Sequence, residues 1–374
     1  MRIMFVIRSL ANSHGVERTI IDKANYLAAN GHHVMLLTYE QGKHPYAFST
    51  NRDVECVDLD CRYFTIFRYP LPKRLYEAWK MKRLFAERIQ AQVDEWQPDV
   101  LVAATYEGEF MRQIVALKMR THIVLESHST FEGHLMGKGI IDRIRKKRIL
   151  QYIKRCDLLI ALTRKDAEVW KQSLENVKVV PNPIMYYPKD VTGIEKTKGR
   201  IIAVGRLCKE KRFDRLINAF ALIAKKNPTW FIDIYGEGAD EQELKQQIVR
   251  QELVGRVNLK GVTKDVYSEY LKSQFFVLSS DHEGFGLVLT EAMSCGIPVI
   301  STDCPCGPSD IIENGDTGLL TKLEPADMAE KMEWMISHEE QRAEMGGKAR
   351  ETVRRYLAEN IMPEWEQAYL SVIQ

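Results

Sequence analysis

The chain has 374 residues, of which 45% are apolar and 28% charged, with a formal net charge of +2. Those fractions are those of a folded globular protein and exclude a disordered one. The length exceeds one ordinary core and calls for two domains of roughly 150–200 residues each, while no apolar run approaches the ~20 residues that span a bilayer.

Short β-rich runs alternate with helical patterns along the whole chain. The first run, "MRIMFVIRSL", lacks a small-residue cleavage site and reads as an opening strand, not a signal peptide. Further strands are expected at "HHVMLLTY", "VECVDLD", "DVLVAAT", "HIVLESH" and "DLLIALT". The second half adds "RIIAVGRL", "WFIDIYG", "VNLKGV", "FFVLSS" and "PVIST". Several are nearly continuous apolar runs, as expected for parallel strands covered on both faces. Between them lie amphipathic patterns such as "FDRLINAFALIAKK", where Phe213, Leu216, Ile217, Phe220 and Ile223 share a helical face. This alternation predicts doubly wound parallel sheets.

The series is interrupted once. "VVPNPIMYYPKDVTGIEKTKGR" holds three prolines and a polar stretch before a new strand at Arg200. The expected division is therefore an α/β domain over 1–183 and a second over 184–355. The last helix, about 356–374, carries Trp365 and Tyr369 and is expected to pack back on the first domain. Two Rossmann-like domains of this kind bind ligands at the carboxyl ends of their strands, facing a cleft.

The segment "SSDHEGFGLVLTEAMSCGIPVIST" concentrates the candidate chemistry. A buried strand ends in "FFVLSS", "DHEGFG" is the loop at its carboxyl end, and "GLVLTEAMSCG" reads as a helix closed by Gly296 before Pro298. Gly284 and Gly286 let backbone approach a ligand, and the helix start at Leu287 offers free N–H groups to an anion. Glu283 lies on the loop and Glu291 about one turn into the helix; carboxylates so placed suit ribose or sugar hydroxyls. In "VGRLCKEKRFDRL" a strand ends at Gly205, and Arg206 and Lys211 follow in the loop. Two cations there could neutralise a diphosphate leaving group, as Mg²⁺ does elsewhere. Lys209 and Arg212 read as solvated. In the first half, His128 of "VLESHST" sits at a strand's carboxyl end, whereas His32 and His33 read as structural or solvated.

Other features carry less. "GEG" at 236–238 lacks the third glycine and the N-terminal position of a dinucleotide fingerprint. "DLD" at 58–60 reads as a solvated turn, and no D-x-D takes a metal-binding role. Seven cysteines, odd in number, do not form a disulfide framework. Cys304 and Cys306 have no second pair at metal-ligand spacing and read as structural thiols in a reducing cytosol. No Ser-His-Asp or Cys-His arrangement is legible.

In order, "GRLCKEKRFDRLINAF", "IYGEGADEQEL", "EGFGLVLTEAMSCGIPVISTDCPCGPSDII" and "ENGDTGLL" resemble the successive blocks of family 4 glycosyltransferases, which have the GT-B fold. The E-x7-E spacing from Glu283 to Glu291 is that family's signature, and "SHGVERT" and "VVPNPI" extend the resemblance more loosely to the first domain. The resemblance implies that Arg206 and Lys211 hold the donor diphosphate, with Glu283 on the donor sugar. Backbone N–H groups of Phe285, Gly286 and Leu287 would lie near sugar and phosphate, Glu291 on the ribose, and Val262 and Thr263 beside the base. Gly15 would let the first domain close on the donor, and His128 would hydrogen-bond the transferred sugar or the acceptor. His14-Gly15 stands where the family usually has two glycines. Asp310 replaces a commoner glutamate and is left out of the site. The implied reaction is retaining transfer by front-face attack, from a UDP- or GDP-linked sugar, without metal or cofactor. A GT-B sugar-nucleotide epimerase and a non-catalytic partner subunit are the alternatives; the intact Arg206, Lys211, Glu283 and Glu291 favour transfer.

Two stretches of the first domain are basic. "RYFTIFRYPLPKRLYEAWKMKRLFAERI" mixes Arg68, Lys73, Arg74, Lys80, Lys82 and Arg83 with aromatics, and "KGIIDRIRKKRILQYIKR" adds Arg143, Arg145, Lys146, Lys147 and Arg148. Basic amphipathic helices with aromatics can lie on an anionic leaflet. That predicts a cytoplasmic chain, peripheral on the inner membrane's cytoplasmic face, with a lipid-linked saccharide acceptor and a role in cell-surface polysaccharide synthesis. Ordinary solvated helix faces are the alternative. A nucleic-acid partner is not expected, because no recognised module is present.

Overall fold

Apolar runs with no polar face can be buried only between two layers, and that is where they lie. The computed structural model describes residues 1–374 except 13, 105–107, 131–138 and 192. Seven strands, β1 (Arg2–Ile7), β2 (His33–Thr38), β3 (Val54–Asp58), β4 (Val100–Ala103), β5 (His122–Ser127), β6 (Leu158–Ala161) and β7 (Val177–Val179), form one sheet in the order β3-β2-β1-β4-β5-β6-β7. Every pair is parallel. Six more, β8 (Arg200–Val204), β9 (Phe231–Tyr235), β10 (Val257–Gly261), β11 (Phe275–Leu278), β12 (Val299–Thr302) and β13 (Gly318–Thr321), form a second parallel sheet, β10-β9-β8-β11-β12-β13.

The chain divides into two compact units. The first comprises Met1–Leu162, Asp166–Pro181 and Met362–Gln374; the second comprises Thr163–Lys165 and Asn182–Ile361. The final helix, Ala358–Ile373, contains Pro363, and its residues from Met362 onward count with the first unit. There Trp365 and Tyr369 are fully buried. The Trp365 ring N–H donates to the Pro181 carbonyl at 2.9 Å, and the Tyr369 ring meets Phe5 edge-on at 6.3 Å. Aromatic Tyr39, Phe85 and Phe110 knit a separate cluster with Met4 and Val6, the positions alternating with Phe5 in β1, at centroid distances of 4.7 to 5.4 Å. In the second unit the helix Phe213–Ala224 buries Phe213, Leu216, Ile217, Phe220 and Ile223 against the sheet, the face its spacing predicts.

Each sheet reverses its winding once. β1 is flanked by β2 and β4, and β8 by β9 and β11. At such a reversal the two loops leave in opposite directions and open a crevice at the strands' carboxyl ends. In the second sheet those loops are the ones after Val204 and after Leu278, which carry the candidate residues. Two strands escaped the sequence reading: β7 has only three residues, one of them Lys178, and β13 opens on Gly318 directly after the turn-like "ENGDT", whereas the equally short β4, β6 and β11 are apolar runs.

Candidate active site

The crevice beside β8 is built by tying its two loops together. The Ser279 hydroxyl donates to the Lys211 carbonyl at 2.8 Å, and the Asp281 N–H to the Glu210 carbonyl at 2.9 Å. Arg215, itself buried, donates to the Ser279 carbonyl at 2.7 Å and pairs with the Asp281 carboxylate. Arg212 reads differently here than from sequence. It is not a solvated cation: it takes a left-handed backbone (φ 49°), chelates Asp214 at 2.9 Å and reaches Asp281 at 3.0 Å. Burial pushes Asp281 up, but hydrogen bonds from Arg215 and Arg212 outweigh it and hold the carboxyl below its usual range. Lys209 is exposed and pairs with Glu243 and Asp240.

Two glycines account for "GEG". Gly236 has φ 146°, and a Cβ there would lie 1.9 Å from the Gly205 carbonyl oxygen; one at Gly238 would lie 2.2 Å from that of Leu207. The loop after β9 therefore presses on the loop after β8, which only glycine permits. The fragment is a packing device that seats one loop on the other.

On this frame Lys211 Nζ sits 2.6 Å from Glu283 Oε1, and the Ser280 hydroxyl donates to the same oxygen at 2.6 Å. Glu283 is 7% exposed and the Lys211 side chain 23%, so the pair lies at the edge of the protein interior. Gly307 backs it, since a Cβ there would lie 2.5 Å from the Phe285 carbonyl and 3.4 Å from Glu283 Cβ. Beside the pair, burial and the Glu283 charge push the Cys304 thiol up to about 12, so it is an inert thiol. Arg206 is exposed and carries no ion pair among the described residues.

Gly284 and buried Phe285 lead into Gly286, whose φ of 98° precedes the helix Leu287–Ser294. The Phe285 ring packs edge-on against Tyr356 at 5.4 Å, so its side chain is taken up by the interior. Glu291, inside that helix and 7% exposed, accepts from the Tyr270 hydroxyl at 3.3 Å. Tyr270 lies on the helix Val266–Leu271, entered from the loop holding exposed Val262 and half-buried Thr263. The E-x7-E carboxylates thus have different supports: Glu283 is held by the β8 loop, Glu291 by the element after β10.

In the first unit, Gly15 opens the helix Gly15–Ala29, with its carbonyl accepting from Thr19. His128 comes after β5 and is not free: its Nε2 lies 2.8 Å from Glu126 Oε2. Glu126 is fully buried and also meets Lys23 Nζ at 2.5 Å and the Tyr369 hydroxyl at 2.5 Å. Burial, the largest influence, pushes Glu126 up, yet Lys23 and the His128 ring outweigh it and bring the carboxyl to about 2. "DLD" is not a solvated turn at its first position: the Asp58 carboxylate accepts from the Thr38 hydroxyl and from the N–H groups of Gln41 and Gly42.

Residues 189–352 match the family model described as glycosyl transferases group 1, and residues 13–185 the model described as Glycosyltransferase Family 4. The chain belongs to the family 4 glycosyltransferases. An uncharacterized glycosyltransferase of Haemophilus influenzae is 26% identical over 368 residues, 98% of this chain and 99% of that protein. The GalNAc-alpha-(1->4)-GalNAc-alpha-(1->3)-diNAcBac-PP-undecaprenol alpha-1,4-N-acetyl-D-galactosaminyltransferase of Campylobacter jejuni is 24% identical over 375 residues, 98% of this chain and 97% of that one. Among solved structures, a mutant of S. aureus TarM in complex with fondaparinux, alpha-GlcNAc-glycerol and UDP superposes with a TM-score of 0.78 at 17% identity, covering 98% of this chain and 99% of that one. The two parallel-sheet α/β domains are those of the GT-B fold.

For this glycosyltransferase, the sequence pointed to the loops at the β8–β11 reversal and to the pair they hold. It marked Tyr369 only as an aromatic to be buried, not as a partner of Glu126, and it did not show Lys23 or Glu126. Among the described residues, no group of three or more His, Cys, Asp or Glu side chains is arranged to hold a metal ion, and no helix is long and apolar enough to cross a membrane.

Proposed function

We propose that this glycosyltransferase transfers a hexosyl or N-acetylhexosaminyl group, with retention, from a UDP- or GDP-sugar to a lipid-linked saccharide in cell-surface glycan synthesis. The observation that carries the reading is the Lys211–Glu283 pair, 2.6 Å apart at the carboxyl ends of β8 and β11, with Arg206 exposed in the same loop. A nucleotide sugar needs both charges there: cations for the diphosphate that departs, and a carboxylate for hydroxyls of the sugar that stays.

In the reaction the C1–O bond to the diphosphate breaks and its electron pair leaves with the phosphate. Arg206 and Lys211 stabilise that developing charge, so no metal or cofactor is required. The acceptor oxygen bonds to C1 on the same face, and its proton passes to the departing phosphate oxygen. Glu283 accepts from sugar hydroxyls, with Gly284 and the N–H groups of Phe285, Gly286 and Leu287 against sugar and phosphate. Glu291, steadied by Tyr270, takes the ribose hydroxyls, and Val262 and Thr263 flank the base. Gly15 and His128 contribute from the first unit. UDP in the TarM complex and the undecaprenol-linked substrate in the Campylobacter relative's name support the donor and acceptor classes.

A surface in the first unit supports a membrane-held acceptor. The turn Tyr63–Arg68 and the first turns of the helix Leu71–Trp96 expose Phe64, Phe67, Leu71, Leu75, Tyr76 and Trp79. Leu71, Leu75 and Trp79 recur every fourth residue, which makes one ridge. Cations flank it: Lys73 lies 4.3 Å over Tyr69, Arg74 5.6 Å over Phe67 and Arg83 5.9 Å over Trp79. Farther along, the same helix buries Phe85, Ile89 and Val93 in the core, so only its start lacks a cover. An apolar ridge edged with cations is complementary to an anionic lipid surface.

The test is nucleotide release from a panel of UDP- and GDP-sugars, with lipid-linked saccharide in vesicles, with and without EDTA, and then NMR of the product's anomeric configuration. Expected are acceptor-dependent release insensitive to EDTA and a retained anomer. Absence of release across the panel, or an inverted product, would overturn the reading.

A further inference from the structure

The cluster behind His128 has no place in the proposed reaction, and it is an unusual thing to bury. Glu126 and Lys23 have no exposed side-chain surface. Lys23 comes from the helix Gly15–Ala29, Glu126 from β5, and Tyr369 from the C-terminal helix, 243 residues beyond Glu126. Trp365 closes the cluster, its ring centroid 3.6 Å from the Lys23 ammonium, with Phe5 at 5.9 Å on another side. Lys23 therefore cannot extend to solvent. Fully buried ion pairs contribute little net stability over apolar residues of similar volume, so stability alone does not account for this one.

We propose that Lys23, Glu126 and Tyr369 are positioning residues that hold His128 as the neutral imidazole with its proton on Nε2, leaving Nδ1 as a hydrogen-bond acceptor for a substrate hydroxyl. Nε2 faces Glu126 Oε2 at 2.8 Å, and that carboxylate already accepts from an ammonium and a phenol. An ionised carboxylate has no hydrogen to give, so the imidazole must donate. Burial, the largest influence on the ring, disfavours its charged form. A neutral ring with its proton on Nε2 has a bare Nδ1. The charges around it are Glu126 beside it, Lys23 behind Glu126, and Glu17 on the helix that also bears Lys23. The last helix thereby becomes part of the catalytic apparatus, acting through Glu126 without touching substrate.

The reading of His128 against substrate rests on the proposed function; its protonation state can be measured without substrate. In the full-length protein with ¹⁵N-labelled histidine, assigned by loss of signal in His128→Gln, the ring at pH 7.5 should show the neutral Nε2–H form. An Nδ1–H form or a doubly protonated ring would overturn the proposal whether or not sugar transfer is observed. Tyr369→Phe keeps the ring packing and removes one donor to Glu126. The freed carboxylate density then favours the imidazolium, so the acid limb of the kcat profile should move to higher pH. At neutral pH kcat should fall about tenfold with donor KM within about twofold, the scale seen when an orienting partner is lost. An unmoved acid limb would overturn the proposal. Should Tyr369→Phe melt, Lys23→Met/Glu126→Gln serves, because it leaves no stranded charge: its folded protein should lose the Nε2–H preference, and retention of it would overturn the assignment.

Discussion

Lys211 Nζ and Glu283 Oε1 lie 2.6 Å apart although the residues are separated by 72 positions in the chain. Their loops come after β8 and β11, neighbouring strands on either side of the point where the sheet reverses its winding. The contact does not itself hold the loops together, because Arg212 and Arg215 already clasp Asp281 and Ser279. The pair can therefore be altered with the frame left standing.

Glu283→Gln is accordingly expected to fold with a melting temperature near that of the parent, and Lys211→Met, which leaves the largely buried Glu283 with the Ser280 hydroxyl alone, to fold at a somewhat lower one. Each removes an electrostatic contact to the reacting group, which is worth about 10²–10³-fold in kcat at comparable sites. Arg206→Ala, at an exposed position, should lower turnover at least tenfold. Steady-state nucleotide release measures all three, and undiminished kcat in Lys211→Met would remove that residue from the reaction.

Gly236 and Gly255 separate a glycine needed for close approach from one needed only for its dihedral. Both have positive φ, but a Cβ at 236 would lie 1.9 Å from the Gly205 carbonyl, while nothing lies within 4 Å of one at 255. Gly255→Ala should cost only the left-handed backbone term, about 1–2 kcal/mol. Gly236→Ala must displace the loop bearing Arg206 and should weaken UDP binding at least tenfold by calorimetry. Equal affinity in the two variants would show that the loop yields without consequence.

This contrast bears on what the sequence could reveal. The crevice loops were legible because strands announce themselves as apolar runs, and the loop leaving a parallel strand sits at its carboxyl end. Arg212 was misjudged because its partner Asp281 lies 69 residues away, and a charge run looks solvated until its partners are placed. Lys23 was missed for the same reason in stronger form. In "IIDKANYL" it looks like an ordinary polar helix position, and only β5 and the last helix, brought together by the fold, enclose it. Function at strand ends leaves a local trace, whereas a buried network assembled from three distant elements leaves none.

The exposed ridge predicts a separable membrane phenotype. Leu71, Leu75 and Trp79 are each more than half exposed, so replacing them with glutamate should change stability by no more than about 0.5 kcal/mol. The triple variant should lose flotation with vesicles containing anionic lipid and keep its release activity on a water-soluble acceptor. Flotation equal to the parent's, or parent flotation that ignores anionic lipid, would reject the surface.

The buried pair predicts a stability effect with a defined pH sense. Lys23→Met strands the Glu126 carboxylate in the core, at a cost of about 3–5 kcal/mol, and adding Glu126→Gln should restore most of it because no uncompensated charge remains. The folded protein holds Glu126 at about 2, below its ordinary 4.5, because Lys23 and His128 outweigh the opposing effect of burial. A depressed carboxyl contributes stability that is present above its unfolded value and is lost as pH falls toward the folded one. The parent's melting temperature should therefore fall more steeply between pH 4.5 and 2 than that of the Lys23→Met/Glu126→Gln variant, whose amide does not titrate. Both proteins carry every other carboxylate, so the difference in slope belongs to this cluster, Glu126 with the His128 ring it faces. Calorimetric scans of the two full-length chains that run parallel through that range would mean that Glu126 is not held ionised by Lys23, and the tautomer argument for His128 would lose its footing.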